Sequence, residues 1–337
     1  MKFNATNRKA LNKITICDFI TTYQCAYCKS QNSWHSNAKA AMRDNSVINY
    51  LICSHCRKEV IIKVPFKEKL LEYDISQGLN EYLIQRKLET KYPQSHQFGT
   101  IIPFGYMDKY GAIIMERIRG DDLKTYLLKS NHHLHTKALG CAGAWLRYLH
   151  NSCPRGYENQ HIDVEARIQY LDYTYGNPLR RNKTAYSAFS YLKKESAKIK
   201  TISIPATWGH GDYKPENIIY DGVKYIGLDI QLKDYSVFVY DLASFLNHLI
   251  IMGQGIRYRR MKSCYSQLEK GFLEGYGNIG QADKYLLHWI QLYFMLCYWG
   301  RYQLQNRFFA AYANGYILPT LTDLQAKIYS ERIYEVG

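Results

Sequence analysis

The chain has 337 residues, 47% hydrophobic and 22% charged, which excludes a disulfide-stapled miniprotein and a disordered segment and leaves room for two domains. Forty-four Lys and Arg against 29 Asp and Glu leave a net charge of +15, a field that draws anionic ligands, nucleic acid or an acidic membrane surface. Met1 to Phe19 is polar and basic and lacks the apolar run of a secretory leader. Nine cysteines, four of them in two Cys-x2-Cys pairs, suit a reduced compartment and a bound metal. A cytoplasmic protein is expected, with peripheral contact at the inner face of the membrane left open.

Short Val- and Ile-rich runs, Val47–Cys53 and Glu59–Val64, flank a Cys-Ser-His-Cys turn as in a β-hairpin. Residues 74–89 read as a helix, and Ile101–Met107 with Gly111–Ile118 as a strand pair around Asp108, Lys109 and Tyr110. After Gly120 the periodicity turns helical, through Leu123, Leu127 and Leu128, then Leu139, Ala142, Leu146 and Leu149. His132, His133 and His135 between them are expected in an exposed loop. Ile218–Tyr220 and Tyr225–Leu228 form two short strands around Asp221-Gly222, and aromatic helices follow from Asp241. Within them Tyr285–Trp299 is too short for a comfortable membrane span and reads as a buried core helix.

Chemistry concentrates in His210-Gly211-Asp212-Tyr213-Lys214-Pro215-Glu216-Asn217, followed by Gly227-Leu228-Asp229-Ile230. A hairpin between Asn217 and Asp229 brings two oxygen donors to one edge, where Mg²⁺ can be coordinated with help from phosphate oxygens. Asp212 then supplies the carboxylate that orients an acceptor hydroxyl and takes its proton, as phosphoryl transfer requires.

His-Gly-Asp followed four residues later by Asn resembles the signature of the aminoglycoside phosphotransferase and choline kinase group, within the protein-kinase-like superfamily. The pattern continues with Asp229 and with Tyr240-Asp241-Leu242-Ala243. The resemblance, from about Glu59 to Leu246, implies an α+β, bilobal protein-kinase-like fold. It would have a small β-rich N-lobe (residues 1–118), to which the cysteine spacing adds a zinc-ribbon-like four-Cys site, and a larger helical C-lobe (residues 119–337). It also implies ATP and Mg²⁺ as cofactors, with Lys63 on the α and β phosphates, Glu81 as its partner and Glu72 as the nearest competitor. Met115 and Glu116 would sit at the adenine hinge. Lys214 would compensate charge on the migrating phosphoryl group, while His210 and Asp241 would be structural. No glycine precedes Gly78, so the usual phosphate loop would be replaced by residues 34–45, with Ser33, Ser36 and Asn37 as donors.

Cys25, Cys28, Cys53 and Cys56 match a closed, four-thiolate structural zinc site, with His35 and His55 as substitute ligands. Between Lys124 and Trp208 there are thirteen Lys or Arg and five Asp or Glu, which disfavours a cationic antibiotic and favours an anionic sugar or cell-envelope glycan as acceptor. The basic runs Arg180–Lys183 and Arg257–Lys262 lie on helices without a nucleic-acid reading motif, so nucleic acid is disfavoured as a partner. The expected activity is ATP-dependent phosphotransfer to an alcohol. The alternatives are a protein kinase, countered by only twelve residues from Asp229 to Asp241, and an inactive pseudokinase or glycan-binding module.

Overall fold

The computed structural model describes residues 2–333 except 37, 44, 68–71, 93–94 and 153–158. They divide into two compact units, one of residues 1–120 with 221–228, the other of 121–220 with 229–337. Among the described residues no helix is long and apolar enough to cross a membrane.

The first unit opens with α1 (Lys2–Thr22), followed by β1 (Trp34–Ser36), β2 (Ala41–Met42), β3 (Ser46–Cys53) and β4 (Glu59–Pro65). Then come α2 (Ile75–Lys91), β5 (Phe98–Thr100), β6 (Pro103–Met107) and β7 (Ala112–Glu116). The main sheet runs β1-β3-β4-β7-β6, with β2 on β3. Strict alternation in β4 buries Val60, Ile62 and Val64 against Trp34, Val47, Leu51 and Ile114 and turns Ile61 and Lys63 to the other face. Helix α1 was not foreseen. It packs through Leu11, Ile16, Phe19 and Ile20 onto this core, and its buried Asn12 exchanges two 2.8 Å amide hydrogen bonds with Asn49 of β3. Asp74 caps α2 by accepting the Gln77 amide at 3.0 Å.

The second unit carries β8 (Asp121–Asp122), α3 (Leu123–Lys129), α4 (His132–Asn151), β9 (Asn159–His161), α5 (Val164–Arg181), α6 (Lys183–Ile199), β10 (Ser203–Gly209) and β11 (Ile218–Tyr220). After β12 (Tyr225–Gly227), which pairs in parallel with β5 of the first unit, it resumes with β13 (Lys233–Val237) and α7 (Phe238–Gly253). Helices α8 (Arg259–Ser263), α9 (Tyr265–Tyr276), α10 (Gln281–Gln303), α11 (Arg307–Tyr312) and α12 (Leu318–Ile333) complete it. The histidine run is not a loop: α4 begins at His132, and His135 is buried with its Nε2 3.2 Å from the Ser130 carbonyl. Helices α4 and α9 approach so closely that a Cβ on Gly275 would lie 1.9 Å from the Gly140 carbonyl oxygen. That approach aligns His150 with Tyr276.

Candidate active site

At the end of β10 the chain enters His210-Gly211-Asp212, and one buried carboxylate sets its course. Asp241, in the first turn of α7, accepts the His210 amide at 2.6 Å on Oδ2 and the Gly211 amide at 3.0 Å on Oδ1. His150 Nε2 lies 3.1 Å from the same Oδ2, and its Nδ1 lies 2.9 Å from the Tyr276 hydroxyl. Burial pushes the Asp241 carboxyl up, but these partners outweigh it and hold the group below the usual carboxylate range. Gly211 has φ +86°, and a Cβ there would meet Gln231 Oε1 at 2.8 Å. Gln231 in turn donates its amide to the His210 carbonyl at 2.8 Å.

The loop is also plugged into the core from below. Tyr213 is fully buried between Trp145 and Phe245, with ring centroids 5.7 and 4.9 Å away, and its hydroxyl donates to the Ala142 carbonyl at 2.7 Å. Its neighbours in sequence therefore face outward. Lys214 Nζ lies 2.6 Å from Asp212 Oδ2, and Asn217 Nδ2 donates to the same oxygen at 3.1 Å and to the Asp212 carbonyl at 2.8 Å. With its nitrogen so engaged, Asn217 has Oδ1 as the end available to a cation. Asp229 is exposed at φ +51°. Its charge, with those of Asp241 and Asp212, acts on the His210 ring, yet complete burial outweighs all three and keeps that imidazole below its ordinary value, hence neutral. Lys124 reaches Glu216 at 2.7 Å; burial raises the Glu216 carboxyl, and Lys124 overcomes this to leave it lowered.

In the first unit Lys63 and Glu81 form a half-buried ion pair of 2.8 Å. Glu72 pairs with Lys67 at 3.0 Å and does not compete. Met115 is buried opposite Ile61 in the sheet, and Glu116, opposite Val60, has its carboxyl raised by burial against the pull of Lys224. Ser33 is not free to act as a phosphate donor: its hydroxyl lies 3.3 Å from Cys53 Sγ and 2.7 Å from Ser30 Oγ. Ser36 donates to the Ala38 carbonyl at 3.0 Å, and Asn37 lies outside the described residues.

The four cysteines converge. Their sulfurs all lie within 4.8 Å of one another, with Cys25–Cys56 and Cys28–Cys53 each at 3.7 Å. Two equivalent turns build the cluster. Cys25 exchanges backbone hydrogen bonds with Lys29 and Ser30, and Cys53 with Arg57 and Lys58, all at 2.9 Å, and Lys29 and Arg57 both stand at φ +62°. Neither His35 nor His55 belongs to this set. Against the upward push of burial, the amides of Cys56 and His55 and the hydroxyls of Ser33 and Ser30 bring Cys53 down to about 5.

Sequence reasoning did not assign His150, Tyr276 or Tyr213 a role, nor the pair Lys124–Glu216. Tyr213 carried a readable signal, a large aromatic inside a polar loop. The folded values of His210 and Asp241 lie below 6.5 and 3.8 respectively, so the unfolded chain binds more protons as the pH drops. Both groups contribute stability above those values and lose it on acidification. The melting temperature is therefore expected to fall steadily as pH drops below about 6.5. A constant value down to about pH 4.5 would contradict this.

The fold has clear counterparts. A choline kinase from Cryptosporidium parvum Iowa II superposes with a TM-score of 0.59 at 14% identity, covering 96% of this chain and 97% of that one. A choline/ethanolamine kinase family protein from Mesorhizobium loti gives 0.55 at 14% identity over 88% and 94%. An amicoumacin kinase in complex with AMP-PNP, Ca²⁺ and Ami gives 0.56 at 12% identity over 97% and 96%. No curated protein matches the chain in sequence. The description "Phosphotransferase enzyme family" matches residues 85–276, more than half of the chain. With its sheet-rich first unit and helical second unit, the chain shares the fold of these kinases and belongs to this family of phosphotransferases.

Proposed function

We propose that the protein transfers the γ-phosphoryl group of ATP to a hydroxyl of an anionic sugar or cell-envelope glycan. The observation that carries this reading is the Asp212 carboxylate, held by Lys214 and Asn217 on a loop suspended from Asp241. Asp212 orients the acceptor hydroxyl and takes its proton as the oxygen bonds to phosphorus. The bond from phosphorus to the β–γ bridging oxygen breaks, and ADP leaves with that electron pair. Lys214, on the same carboxylate, is close enough to turn to the migrating phosphoryl group. Lys63, braced by Glu81, holds the α and β phosphates, and Met115 and Glu116 serve the adenine end. The hard oxygens of Asn217 and Asp229 suit Mg²⁺, which when bound neutralises polyphosphate charge. The excess of cations between Lys124 and Trp208 supports an anionic acceptor.

Asp212→Asn is expected to lower turnover by about 10²–10⁴-fold, read by mass spectrometry of phosphorylated product from a panel of hydroxylated acceptors with ATP and Mg²⁺. Undiminished turnover in the variant refutes the role. Label transfer to protein alone, never to small hydroxylated compounds, would replace this acceptor class with a polypeptide.

The cysteine cluster is proposed as a structural zinc site. A Zn–S distance of about 2.3 Å sets sulfurs of a tetrahedron about 3.8 Å apart, and two of the pairs already stand at 3.7 Å. A closed four-thiolate set has no open coordination position, so its contribution is to hold α1, β1 and the β3–β4 turn together. Elemental analysis of unchelated protein is expected to give about one equivalent of zinc, lost in Cys53→Ser together with thermal stability. Metal-free protein of full stability would contradict this.

A further inference from the structure

At the end of α10 the second unit presents an apolar tip. Phe308 is 75% exposed, Leu304 60%, Tyr316 41% and Phe309 38%. The tip is built and not frayed. Asn306 caps α11 by accepting the Phe309 amide at 3.1 Å, and Asn314 Oδ1 accepts Trp299 Nε1 at 3.0 Å and Gln303 Nε2 at 2.8 Å. Tyr302 stacks on Phe309 at 5.7 Å, and Phe308 packs edge-on to Phe309 at 5.7 Å. These contacts order the backbone and the rings that carry Phe308, which lowers the ordering cost of docking.

Along its own segment the tip carries charge of one sign. From Lys284 to Thr322 the sequence contains no Asp or Glu, while Arg301 and Arg307 are exposed on either side of Leu304. Aromatic and aliphatic side chains flanked by arginines are the composition that settles at the headgroup level of an anionic bilayer. A second copy fits poorly, because a symmetric contact would bring the same arginines against each other. Tyr298, whose ring stands 5.8 Å from His248 of α7, ties this end of α10 to the helix that carries Asp241. Only six residues, about 9 Å of helix rise, separate it from Leu304.

We infer that Leu304, Phe308, Phe309 and Tyr316, with Arg301 and Arg307, form a docking surface for an anionic lipid bilayer. This surface lies outside the catalytic loop and stands independently of the phosphotransfer reading. Joined to it, the surface would bring Asp212 to an acceptor carried at a membrane.

Co-sedimentation of the full chain with phosphatidylcholine vesicles, with and without phosphatidylglycerol, tests the proposal. Binding is expected only with phosphatidylglycerol, weakened by salt, reduced about tenfold or more in Phe308→Asp and retained in Phe308→Trp. The Asp variant should keep the wild-type thermal stabilisation by ATP and Mg²⁺, which separates loss of docking from loss of folding or of nucleotide binding. No wild-type binding, equal binding to neutral vesicles, or undiminished binding by Phe308→Asp would overturn it. Concentration-dependent self-association abolished by Phe308→Asp, without vesicle binding, would assign the surface to a second copy instead.

Discussion

A carboxylate with almost no access to water is tolerated only when its oxygens are filled, and Asp241 fills them with the groups that shape the His210–Asn217 loop. Two successive amides turn toward one side chain, so residues 210 and 211 must take the tight course that leaves Asp212 facing outward. The third partner, His150, is in turn engaged with Tyr276. A single residue of α7 thereby ties together β10, the end of α4 and the end of α9. Removing one partner of such a buried charged set costs about 3–5 kcal/mol, a large part of the stability of a typical domain.

The remaining architecture of this unit serves the same loop. The stack of Trp145, Tyr213, Phe245 and Phe272 supports it from the apolar side, while Lys124 fixes Glu216 from α3. Asp212 is thus held between a rigid backbone and two directed donors, the condition under which a carboxylate can meet a hydroxyl at a set distance. In the first unit the cysteine turns follow the same logic. Backbone amides and hydroxyls gathered around Cys53 favour its thiolate, the form that a metal takes.

The sequence was most legible where chemistry restricts residue type locally. The ordered motifs through Asp212, Asn217, Asp229 and Asp241 carried the resemblance to phosphotransferases, the family to which the chain belongs. Lys63 and Glu81 were paired through the family resemblance, which expects a strand lysine to meet a glutamate of the helix that follows, and the two stand 2.8 Å apart. The Cys-x2-Cys spacing spoke for itself. What was not legible depends on distant packing. His150 and Asp241 are 91 residues apart and His150 and Tyr276 are 126 apart, and no local pattern announces either pair. Helix α1 escaped because its buried side includes Asn12 and Thr15 among the apolar residues, which blurs the hydrophobic period. His135 was misplaced because a polar histidine run hid the start of a helix whose apolar face begins later.

The most direct test of this account is Asp241→Asn, assayed for phosphoryl transfer and, separately, for stabilisation by ATP and Mg²⁺. The amide keeps the shape but loses the charge that draws two backbone amides together. We expect turnover to drop at least about a hundredfold in protein that still folds at a lower melting temperature. A folded Asp241→Asn protein with wild-type turnover would show that the loop holds its form without this carboxylate, and the account would be wrong at its base.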